Sequence, residues 1–175
     1  MTMTKGQIIA IVSLLIGIVA CISVTIGVSF FRDAKEPIVP DYAPEERDPN
    51  AETIGEEDTS KMDVPQGGGA LSMQYVDQVV IRLSEKKAYL SYSNPSKSAQ
   101  NIVLQIVVKD HVIAQSGRID PGYQLKEIPL SEGAESLLSE GVYTDAVFRI
   151  FNYHPTTGEK AMIDAVAQIT VTVQK

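Results

Sequence analysis

Ala167 to Gln174 reads AQITVTVQ. In an extended chain, Ala167, Ile169, Val171 and Val173 point one way and Gln168, Thr170, Thr172 and Gln174 the other, because successive side chains of a strand alternate between faces. One face is apolar and β-branched, the other polar, which is the pattern of a strand with one side on a core. Outward from this stretch the same period recurs. Val79, Ile81 and Leu83 share a face, as do Ala88, Leu90 and Tyr92 before a turn at Asn94-Pro95. Ile102, Leu104, Ile106 and Val108 oppose Val103, Gln105, Val107 and Lys109. Asp110-His111 makes a tight turn into Val112 to Gln115, and Asp120-Pro121-Gly122 precedes Tyr123 to Ile128. A long strand runs from Val142 to Tyr153, and Pro155-Thr156-Thr157-Gly158 turns the chain toward the last one. Seven strands between 75 and 175, divided by frequent turns, predict an all-β Greek-key sandwich. Ser131 to Ser139 is the one helical candidate, a short link between two sheets, and an open antiparallel sheet or small barrel is the alternative.

Leu138-Ser-Glu-Gly141-Val-Tyr143 stands directly at the start of the long strand. It resembles the tyrosine corner of immunoglobulin-like and fibronectin-like domains. The resemblance implies that Leu138, Gly141 and Tyr143 are structural, with the Tyr143 ring packed and its hydroxyl bonded to upstream backbone. Ile119-Asp-Pro-Gly122 is similar to the turn before an edge strand in bacterial sandwich domains. The chain has one Cys and no Trp, so it departs from antibody-type cores, which a bacterial immunoglobulin-like domain does not require.

The rest of the chain is unlike this domain. Of a net charge of −7, residues 32–74 hold 11 acidic and 4 basic side chains, whereas residues 1–31 carry only Lys5. Gln7 to Phe31 contains no charge. As a helix it would be about 37 Å long, enough to cross a hydrocarbon core of about 30 Å. The expectation is a six-residue tail (1–6), an uncleaved signal-anchor transmembrane helix (7–31) in the lipid bilayer, a disordered acidic Pro/Gly linker (32–74) and an immunoglobulin-like sandwich (75–175). That places the protein in the cell membrane as a single-pass protein with the C-terminal domain outside the cytoplasm. Ile18-Val19-Ala20-Cys21 also resembles a lipobox, but the apolar residues that follow it favour an uncleaved anchor. Ser13, Gly17, Cys21, Thr25 and Ser29 recur every four residues, a small-residue seam through which helices associate in lipid, with a second copy or with another protein.

Chemistry-bearing constellations are absent from the pattern. No glycine-rich phosphate loop, GxSxG or HExxH occurs, and His111 and His154 each fall in a turn. Glu132 and Glu135 lie in the inter-sheet link, as solvated side chains. Asp110, Asp120 and Asp145 are the set that could gather at a sandwich end, but they lack an Asp-x-Asp ligand run. The acidic balance argues against a nucleic-acid partner. No catalytic residue, cofactor or metal is expected. Tyr92 and Tyr143 read as core, and Tyr89 and Tyr153 as surface contacts with a protein partner. The functional expectation is a non-enzymatic, membrane-anchored binding or scaffolding protein, with an accessory subunit assembled through its membrane helix as the alternative.

Overall fold

The structure is a computed structural model in which residues 37–55, 60, 62 and 71–175 are described. These belong to one compact unit, Ala34–Lys175. Its strands are β1 (Ala51–Thr53), β2 (Gln74–Tyr75), β3 (Gln78–Arg82), β4 (Lys87–Asn94), β5 (Asn101–Val108), β6 (His111–Gln115), β7 (Tyr123–Pro129), β8 (Gly141–Tyr153) and β9 (Ala165–Gln174), with a 3-10 helix at Ala134–Leu137 between β7 and β8.

Each of the seven alternating stretches falls on one of β3 to β9, with Leu83 one residue beyond the end of β3. In β9, Ile169, Val171 and Val173 are buried and Gln168 and Gln174 are exposed. The turns follow from local chemistry. Lys109 and Asp110 both take positive φ, 50° and 65°, and so close the two-residue β5–β6 hairpin. In Asp120-Pro121-Gly122 the proline sets the first bend and Gly122, at φ 87°, supplies the left-handed position, with the Tyr123 amide donating to the Asp120 carbonyl at 3.2 Å.

The expected Greek-key sandwich is corrected to a single sheet curled into a half-barrel. Its strand order is β1-β7-β4-β3-β9-β8-β5-β6, with β2 on β4. The cause is β3. It pairs antiparallel with β4 (Val80 opposite Tyr89) and parallel with β9 (Val80 opposite Thr172), and thereby stitches together what alternation would leave as two sheets. The curl brings the far strands together: Ala114 of β6 bridges Leu130, and the Ser131 amide donates to the Ile113 carbonyl at 2.9 Å. Inside the curl, Ile81, Tyr92, Ile102, Leu104, Ile106, Leu125, Ile128, Phe148, Ile150 and Val171 form one core drawn from both halves. Burial of each such side chain contributes about 1.5–3 kcal/mol.

Two further expectations are corrected. Among the described residues no helix is long and apolar enough to cross a membrane. The helix described has four residues, against the roughly 20 that a span requires. The single-pass architecture and the membrane location with its extracytoplasmic domain are therefore withdrawn. The 7–31 stretch that prompted them, with Ser13, Gly17, Cys21, Thr25 and Ser29, lies outside the described residues. The disordered linker is corrected in part: residues 37–55 are laid onto the domain as a strap, and β1 adds to β7 through Ala51–Leu125 and Thr53–Tyr123. Composition reads this segment as lacking a core of its own, which is true, but it shares the core of the domain it covers.

Candidate functional site

The strap begins with Pro37-Ile-Val-Pro40 and passes over the outer face of β5 and β8. Its prolines, Pro37, Pro40 and Pro44, keep it extended. The domain supplies the hydrogen bonds that it cannot make itself. The Tyr153 hydroxyl donates to the Pro40 carbonyl at 3.0 Å, the Lys160 amide to the Asp41 carbonyl at 2.9 Å, and the Ala43 amide to the Gly158 carbonyl at 2.7 Å. Val39 and Ala43 pack on Val103, Phe151 and Tyr153, a second small core on the outside of the sheet. This explains why every residue of β5 is buried.

Beyond Pro44 the strap is held by charge. Arg118 donates through Nη1 to the carbonyls of Pro44 (2.9 Å) and Glu45 (2.6 Å), and through Nε to Asp120 at 2.7 Å. Arg47 pairs with the other Asp120 oxygen at 2.7 Å and lies 3.7 Å over the Tyr123 ring. Asp48 is buried, and its carboxylate accepts from the Gly117 amide (2.7 Å) and the Asn50 amide (2.8 Å). A Cβ on Gly117 would stand 3.0 Å from the Asp48 Cα, so a side chain there would have to push the strap backbone back by a few tenths of an ångström.

Where the strap starts, it leaves a groove of about 540 Å³ between itself and β9. Pro37, Val39, Val112, Phe151 and Val166 supply apolar walls. Gln105, Arg149, Lys160 and Asp164 are its polar groups. The register places Arg149 of β8 between Gln105 of β5 and Val166 of β9, on the sheet's outer face. Lys160 pairs with Asp164 at 2.9 Å, and its ammonium lies 5.0 Å from the Phe151 ring centre. Gln105 donates to Gln115 at 2.6 Å. Arg149 is half-buried, and its guanidinium has no ion pair or hydrogen bond among the described residues. Val166, a wall of the groove, is 65% exposed, and Met162 and Ile163, in the segment between the lining residues Lys160 and Asp164, are exposed by 101% and 79%.

The residues singled out by sequence lie elsewhere. Leu138 and Tyr143 are buried, Gly141 starts β8, and the Tyr143 hydroxyl donates to the Ser139 carbonyl at 2.9 Å while accepting from the Ser139 amide at 3.0 Å. Tyr89 is half-buried on β4, and its hydroxyl bonds the Glu85 carboxylate, over which Arg82 closes at 2.9 Å. The Tyr89 hydroxyl and the Arg82 guanidinium together hold Glu85 below the usual carboxylate range. Tyr153 is corrected: it is fully buried rather than a surface contact, because the strap covers the outer face on which alternation puts it. Asp120 is tied to the two arginines, Glu135 pairs with Lys86 at 2.7 Å, and His154 accepts the Thr156 and Thr157 amides at its own turn. Among the described residues no three His, Cys, Asp or Glu side chains gather as a metal site. The groove itself was not anticipated. Its signals, an apolar Ile-Val between prolines and an arginine on the outer side of a strand, acquire meaning only when strap, β8 and β9 adjoin.

No protein family and no curated protein matches the chain. The YadV chaperone, a solved structure, is similar to part of it, with 16% identity and a TM-score of 0.37 over 60% of this chain and 51% of that one. The chain spans about half of that protein's length, and a likeness at this level carries no argument about fold or activity.

Proposed function

We propose that the protein is a non-enzymatic binding or scaffolding module that recognises a protein partner through the outer face of β5, β8 and β9. The observation that carries this reading is the apolar groove and its exposed rim. Met162, Ile163 and Val166 present aliphatic surface to water within a few residues of the groove's lining residues Lys160 and Asp164. A protein interface is the ordinary reason for such a rim, and the charged groups beside it, Arg149, Lys160 and Asp164, supply direction and specificity.

The test is a photo-crosslinking residue placed at Met162 and, as control, at exposed Glu52 on β1, in the full chain expressed in its own cells. A discrete adduct from position 162, absent from position 52 and lost on Val166→Asp, is expected. Equal adducts from both positions, or none from 162, would overturn the reading.

A further inference from the structure

Resting on that reading, we propose that the groove takes an extended aliphatic peptide segment ending in a free carboxylate, and that Arg149 binds this carboxylate. Two observations converge on it. The first is charge. The Lys160 ammonium is answered by Asp164, whereas Arg149, half-buried among apolar walls, is answered by nothing among the described residues. A half-buried guanidinium with no protein partner keeps its donors free for a ligand, and its planar fork matches a carboxylate bidentately. One uncompensated cation in an apolar groove fits one terminal carboxylate. A polyanion would be repelled by a chain of net charge −7.

The second observation is the strap. This face of the sheet already holds an extended apolar segment. Val39 and Ala43 sit on Val103, Phe151 and Tyr153, while Tyr153 donates to a strap carbonyl. The groove continues that surface from Val39 to Val166. A second extended segment lying beside the strap would meet the same chemistry, with aliphatic contacts below and its terminus at Arg149.

The probes are acetyl-Thr-Val-Thr-Val with a free C-terminus, the same peptide as its amide, and decanoate, each titrated into the full-length ¹⁵N-labelled protein and followed by amide NMR. The free acid is expected to shift the amides of Arg149 and Val166 and to bind about tenfold more tightly than the amide, the scale of one charge-assisted pair. Arg149→Gln should bring the acid down to the amide's affinity. Val166→Asp changes an exposed position directly across from Arg149. It supplies an internal carboxylate and should abolish binding of the acid with the fold intact. Equal affinity for acid and amide, acid binding undiminished in Arg149→Gln, or no response to either peptide would overturn the proposal. Decanoate binding at Arg149 without peptide binding would transfer the site to lipid-type acids. That outcome also overturns the proposal. Adducts from position 162 that survive Arg149→Gln would sink the carboxylate alone and leave the protein-binding reading standing.

Discussion

Asp48 shows how one side chain joins an acidic tail to a sheet. Its buried carboxylate accepts two backbone amides and the Asn50 side-chain amide. Asp48→Ala leaves these donors without a partner and is expected to lower unfolding free energy by about 1–3 kcal/mol in urea denaturation, with Asp48→Asn losing less. Tyrosines set the alkaline behaviour. Burial, then the Asp164 and Asp41 carboxylates, pushes the Tyr153 phenol up to about 12, and burial also raises Tyr92. The folded state therefore keeps protons that the unfolded chain releases near pH 10, so these groups make stability fall as pH rises from about 10 toward 12. Tyr153→Phe should flatten that decline, read as urea midpoints at pH 9 and 11.5. An unchanged slope would place the phenol in water.

At the scale of the element, β3 and β5 carry different loads. β5 lies between β8 and β6 with its inner face in the main core and its outer face under the strap. Ile106→Asp buries a carboxylate in that core and should unfold the domain, a loss of about 4 kcal/mol or more. β3 joins the two halves of the sheet. Val80→Pro inserts a residue without an amide donor where β3 adjoins both β4 and β9. A loss of about 3 kcal/mol is expected, with amide exchange rising first along β9 rather than along β5. Protection lost evenly over all strands would mean that the halves do not separate at β3.

For the whole molecule the decisive feature is that the strap is part of the domain. Arg118 grips Pro44 and Glu45 from 74 and 73 residues away. Arg118→Ala should raise hydrogen exchange at the Ala43 and Asp48 amides, which donate to Gly158 and Arg118, while the core strands keep their protection. Because Pro37 and Val39 wall the groove, the same variant should weaken peptide binding there. Exchange unchanged at Ala43 would mean that the remaining contacts hold the strap unaided.

Alternation in AQITVTVQ and in Ile102 to Val108, with Lys109-Asp110 and Asp120-Pro121-Gly122 between strands, determined by itself where β3 to β9 lie, but not β1 or β2, and where the chain turns between them. Those are local properties, set by two-residue periodicity and by residues that tolerate particular backbone angles. Only the tertiary structure decided that β3 pairs with both β4 and β9, that Tyr153 is buried, and that Arg149 lies between Gln105 and Val166. The Tyr153 hydroxyl meets the Pro40 carbonyl across 113 residues of chain. Alternation fixes a side chain's face but not what covers that face, because pairing and covering are chosen by the balance of burial and hydrogen bonding over the folded unit.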